Sequence, residues 1–143
     1  MSVHAPSRVH MAMPAAVQRR VATNVARGLA VAGVLLSADV HLDLWYSQGF
    51  RDIPTIGPLF LLNAVSGLLI GLVALSWSHW LPALAAAAFG AGTLVAFYLS
   101  VSVGLFGLHE VASGQPQVLA EVAEYVAVVF GGLASWMLWR QSR

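Results

Sequence analysis

The chain contains no cysteine and no lysine, and charged residues make up only 9% of its 143 positions. Without cysteine, disulfides and thiolate metal sites are both excluded. Without lysine, every basic side chain is an arginine. Soluble domains carry about 25% charged residues, so a charge this sparse is expected in lipid. Also missing are a phosphate-cradling glycine loop, the zincin pattern His-Glu-x-x-His and a nucleophile elbow, so no motif supports an enzyme. A formal net charge of +1, with six acids, argues against a nucleic-acid partner.

What is present is apolar: 59% of residues are hydrophobic and the mean hydropathy is +0.78. A hydrocarbon core of about 30 Å needs about 20 helical residues. Four segments supply this length, at residues 21–46, 57–77, 81–105 and 118–139. Gly49, Pro54, Gly57 and Pro58 break the first connection, and Pro58 near a helix start needs no backbone donor. The second connection is only Ser76-Trp77-Ser78-His79-Trp80, and Gly104, Gly107, Gly114 and Pro116 delimit the third. The expected fold is all-α, a transmembrane antiparallel four-helix bundle. Residues 1–20 read as a mobile leader, with Pro6 and Pro14, and residues 140–143 as a short tail. His4, His10, Met11 and Met13 have soft-metal chemistry, but a plain leader is the simpler reading. Arg19-Arg20 and Leu36-Ser37-Ala38 imitate a cleaved signal peptide; the apolar run continues to Tyr46, so the span is read as retained.

Arginine counts set the expected orientation. Arg8, Arg19, Arg20 and Arg27 flank the start of span one, Arg140 and Arg143 follow span four, and only Arg51 lies in an opposite-side loop. The positive-inside rule then places both termini in the cytoplasm. Trp77, Trp80, Trp136 and Trp139 form the inner aromatic belt, with Trp45 and Tyr46 at the outer one. Between spans, small residues must allow close approach, because lipid removes the hydrophobic drive for helix pairing. Gly67 with Gly71 and Gly131 with Ser135 have the required spacing. Span three opens with Ala83, Ala85 through Ala88, Gly90, Ala91 and Gly92, a small surface that also suits a membrane-protein partner.

All six acids fall in the outer half: Asp39, Asp43, Asp52, Glu110, Glu121 and Glu124. At 1.5 Å per residue, Asp39 and Glu124 each lie roughly 10 Å inside the outer interface. Membrane-embedded acids need a partner, so these two carboxyls are expected to meet. Asp43 and Glu121 approach the same layer, and His41 shares that half of the chain. His41 lies about 200° around the helix from Asp39, so Asp-x-His-x-Asp alone is no metal motif. Asn63, Tyr98, Ser102 and Tyr125 add polar lining, while Arg51, His109 and Glu110 are candidate lid residues. A bound cation, shared protons, or water with a basic partner would each relieve the acids. Without cysteine, a metal site of Asp39, His41, Asp43, Glu121 and Glu124 would favour a divalent ion such as Zn or Mn. The alternative reading is solvated helix ends, with Glu121 favoured by the helix dipole. A haem would want histidines on facing spans at one depth, which His41 and His109 do not offer.

The run His41-Leu42-Asp43-Leu44-Trp45, followed by Ile53-Pro54-Thr55-Ile56-Gly57-Pro58-Leu59-Phe60-Leu61-Leu62-Asn63, resembles small four-span integral membrane proteins of high-GC Gram-positive bacteria, mostly of unassigned function. The resemblance implies the architecture and a bacterial plasma-membrane location, and carries over no catalytic residue. Three functions are then open. The first is an outward-facing acidic pocket that binds a cation or proton or docks a partner. The second is an accessory subunit of a larger envelope or respiratory complex. The third is a small membrane enzyme or quinone-reactive protein.

Overall fold

Apolar stretches bounded by proline and glycine become four helices in the computed structural model, which describes residues 13–107, 109 and 113–143. They are α1 (Ala15–Ser47), α2 (Ile56–Ser76), α3 (Trp80–Ser102) and α4 (Gln115–Gln141), with a 3-10 turn at Phe50–Asp52 between α1 and α2. All four are long and apolar enough to cross a membrane, and no strand occurs among the described residues. The chain is a multi-pass, all-α membrane protein. α1 packs against both α2 and α4, α3 packs against α4, and α2 touches α3 only sparingly.

Three boundaries differ from the sequence expectation by three residues or more, one being the start of α4, at Gln115 rather than residue 118. α1 starts at Ala15, directly after Pro14, rather than at residue 21. Its 33 residues span about 50 Å at 1.5 Å per residue, well beyond a ~30 Å core. α3 stops at Ser102 rather than 105, because Gly104 adopts a φ of 82° that a helix does not accommodate. The metal-leader residues His4, His10 and Met11, and the lid candidate Glu110, lie outside the described residues.

The core is built from small side chains at heptad spacing. On α1, Thr23, Ala26, Ala30, Gly33, Ser37, Val40 and Leu44 are all buried. Their alternating steps of three and four keep one stripe facing its neighbours. On α4 the buried positions include Ala120, Ala123, Ala127, Gly131 and Ala134. With so little side-chain bulk between them, the backbones nearly touch. A Cβ added at Gly33 would sit 2.6 Å from the Ala123 carbonyl oxygen and 2.8 Å from the Ala127 nitrogen. Gly90 of α3 lies equally close to the Glu124 carbonyl of α4. Ala83, Ala86 and Gly90 are buried, so much of the small surface of span three packs within the bundle; Ala88, Ala91 and Gly92 remain exposed.

The connections fix the ends. His79 caps α3 by accepting from the Leu81 N–H at 3.2 Å, with its ring stacked 5.0 Å from Trp77. Arg27 of α1 donates to the Ser78 hydroxyl and ties this turn down. At the opposite end, Thr55 adopts φ 70° and ψ −49°, and the Ile56 N–H closes back on the Pro54 carbonyl at 2.9 Å. This is a γ-turn of the strained class, and it sets Ile56 into the bundle at the mouth of the chamber described next.

Candidate functional site: a buried carboxyl and an imidazole in an end chamber

The end that carries the α1–α2 and α3–α4 connections also carries every described carboxylate side chain: Asp39, Asp43, Asp52, Glu121 and Glu124. Only one of these acids is fully enclosed. Glu124 is 1% exposed, Ser37 0% and His41 8%. The Ser37 hydroxyl donates to Glu124 Oε1 at 3.0 Å across the α1–α4 seam. One turn further along α1, His41 Nδ1 lies 2.8 Å from the Ser37 carbonyl. A carbonyl only accepts, so Nδ1 carries the hydrogen, and in the neutral ring Nε2 is left as the acceptor. Ser37 therefore holds both groups: its hydroxyl orients the carboxyl, and its carbonyl orients the imidazole.

These groups open on a chamber of about 90 Å³. Its polar lining is His41, Thr93, Ser100, Gln117, Glu121 and Glu124; its apolar walls include Leu44, Ile56, Phe60 and Phe97. The His41 ring meets Phe60 edge-on, with centroids 5.2 Å apart. Phe60 in turn stacks on Phe50, which closes the α1–α2 side. Among the described residues no arginine lines the chamber. Next to it, a groove of about 330 Å³ runs between α2 and α3 and shares His41, Ile56, Phe60, Thr93 and Ala96 with it. The groove follows from the sparse α2–α3 contact. Inside it Asn63 Nδ2 donates to Thr93 Oγ1 at 2.9 Å, and Thr93 donates on to the Phe89 carbonyl at 3.0 Å. Asn63 Oδ1 is buried there with no hydrogen-bond partner.

Several expected site residues lie elsewhere. The pairing of Asp39 with Glu124 is not formed: Asp39 is exposed and, with Asp43, borders a shallow cleft beside the first turns of α4. The physical reason is angular. Ser37 faces inward, and Asp39, two residues on, is turned about 200° away. Asp43 accepts instead from Gln48 Nε2 at 3.2 Å. Among the described residues no three His, Asp or Glu side chains converge as a metal site needs, so the expected five-residue cluster for Zn or Mn is not assembled. Arg51 does not bend over the acids; it pairs with Asp52 at 3.8 Å, both side chains being half or more exposed. His109 is exposed and lies against Gly104. Ser102 bonds back to the Tyr98 carbonyl at 2.6 Å and lines no part of the chamber.

Tyr98 and Tyr125, also expected as pocket lining, are exposed and line no part of the chamber. The Tyr98 hydroxyl donates to Glu121 Oε1 and lies 2.9 Å from the Tyr125 hydroxyl, a polar cluster on the α3–α4 face. Ser37, Thr93, Gln117, Phe60 and Phe97 belong to the site although residue-type reasoning passed them over. For Ser37 the signal was its place in the α1 heptad stripe, four residues before His41. Its hydroxyl donates to the buried Glu124 carboxyl, so Ser37→Ala is expected to cost about 1–3 kcal/mol, read as a lowered midpoint in denaturant titration of the detergent-solubilised protein. Comparison with protein-family models, with curated proteins and with solved structures returns no match, so the geometry alone speaks for function.

Proposed function

We propose that this small integral membrane protein binds an organic cation of the ammonium class in the end chamber, with Glu124 as counter-charge. One observation carries the reading: a carboxyl 1% exposed, bonded to a serine hydroxyl and, among the described residues, paired with no arginine, opens onto an aromatic-walled cavity. An ionised carboxylate without a partner costs several kcal/mol in so dry a place. An entering cation supplies that partner. The aromatic side chains of Phe60 and Phe97 in the chamber wall suit an alkylated cation that has no N–H to satisfy. The surrounding acids, offset at this end by Arg51 alone among the described arginines, raise the local concentration of cations. A zinc centre draws three or four ligands from protein, more than the two enclosed ligating groups here provide. The groove between α2 and α3 gives apolar substituents a way in from the bilayer. Melting of nanodisc-embedded protein in tetramethylammonium chloride, against sodium chloride at equal ionic strength, tests this. A ligand at a hundred times its Kd stabilises by about 2.7 kcal/mol; identical melting in both salts counts against the reading.

The membrane is the bacterial plasma membrane and both termini are cytoplasmic in this reading, which the arginine distribution supports. The chamber then faces outward. Because the chain has no cysteine, single replacements report orientation cleanly. Ser47→Cys is expected to react with an impermeant maleimide in intact cells, and Ser142→Cys only after permeabilisation. The opposite pattern would invert the topology.

A further inference from the structure

We infer that the cleft between the first turns of α1 and the last turns of α4 is a binding site for the headgroup of an anionic phospholipid. It lies at the end of the bundle away from the chamber and does not depend on the chamber's function. The cleft encloses about 660 Å³, and three of its lining residues are Arg19, Arg20 and Arg140. Three like charges share one cleft, and among the described residues none of them has an acid within ion-pair distance. The described acidic side chains all sit at the other end of the bundle. Such a cluster attracts an anion.

The rest of the lining says which anion. Trp136, Met137 and two alanines add apolar lining to the cleft, which suits a lipid better than a solvated ion. The Arg140 guanidinium lies 4.4 Å from the Trp136 ring centre, which holds its fork at the edge of the cleft. Below it, Gln141 Nε2 donates to Thr23 Oγ1 at 2.9 Å, and Thr23 donates to the Arg19 carbonyl at 2.9 Å. This chain fixes α4 to α1, so the arginines of both helices stay in register. Guanidinium forks match phosphate oxygens two at a time, and basic pockets between membrane helices take lipid phosphates. The occupant is therefore a bilayer lipid whose phosphodiester meets the guanidiniums while its glycerol and upper chains lie against Trp136.

Native mass spectrometry of protein taken from micelles with equimolar phosphatidylglycerol and phosphatidylcholine of matched chains tests the inference. The native sequence is expected to retain phosphatidylglycerol about tenfold over phosphatidylcholine. The triple variant Arg19→Gln, Arg20→Gln, Arg140→Gln should bring the two lipids near parity, and Arg140→Gln alone, which leaves α1 intact, should reduce the preference in part. Arg51→Gln, at the other end, should leave it unchanged. Equal retention of the two lipids by the native sequence, or an undiminished preference in both arginine variants, overturns the inference. So does full displacement of phosphatidylglycerol by soluble glycerol 1-phosphate, which would make the occupant a free phosphate ester.

Discussion

Replacing Gly33 with alanine is expected to destabilise the bundle by about 1–3 kcal/mol, the usual range for overpacking a filled interior. The same replacement at Gly28, on the same helix, is expected to be neutral or slightly stabilising. At Gly33 the new methyl meets backbone atoms of Ala123 and Ala127 at 2.6 and 2.8 Å, and backbone has no rotamer by which to yield. At Gly28 it meets nothing within 4 Å. Both changes gain the same intrinsic helix preference, roughly 0.5–1 kcal/mol, so the difference between them isolates the α1–α4 contact. Unfolding in graded denaturing detergent measures it. Equal midpoints for the two variants would mean that α1 and α4 do not approach through Gly33. The chamber is at stake as well, because the same seam joins Ser37 to Glu124.

Glu124→Gln is expected to weaken binding of tetramethylammonium at least thirtyfold, the equivalent of about 2 kcal/mol for removing one member of a buried charge pair. Glutamine keeps the shape of the side chain and an oxygen to accept from Ser37, so the loss reports charge rather than collapse. Asp39→Asn is the matched control. It removes a carboxylate of the same end, but from the exposed face of α1, and should shift affinity less than twofold, within the weak screening of exposed charges. Equilibrium dialysis with labelled tetramethylammonium separates the two outcomes. A large loss from Asp39→Asn with none from Glu124→Gln would relocate the site to the outer cleft.

The architecture was legible because span length and breakers are local properties. Pro58, Gly104 and the Trp77–Trp80 turn mark ends that depend on few neighbours, and they fall within a few residues of the observed ones. The shared end was legible too: counting residues along the spans put Glu124 and the α1 acids at one end of the bundle, where the structure has them. The face each acid presents was not. In water the apolar face of a helix is the buried one, but in lipid both faces are apolar, so hydrophobicity cannot tell inward from outward. On α1 the distinguishing feature is the heptad spacing of small residues, in a stripe where Val34, Val40 and Leu44 are also buried. Thr23, Ala26, Ala30, Gly33 and Ser37 are small and buried, whereas Val25, Leu29 and Leu36 are larger and exposed. Reading small residues at heptad steps would have assigned Ser37 and His41 to the interior and Asp39 to the exterior. The groove between α2 and α3 has no comparable signal, since it results from a contact that two helices fail to make.

Solid-state NMR gives the most direct test of the chamber as a cation site. Nanodisc-embedded protein with 13Cδ-labelled glutamate is loaded with 15N-tetramethylammonium, and dipolar recoupling reports which carboxyl lies beside the nitrogen. The chamber geometry predicts a contact from the Glu124 carboxyl that disappears in Glu124→Gln and survives in Asp39→Asn. A saturated sample with no glutamate contact, or one whose contact persists unchanged in Glu124→Gln, would contradict it.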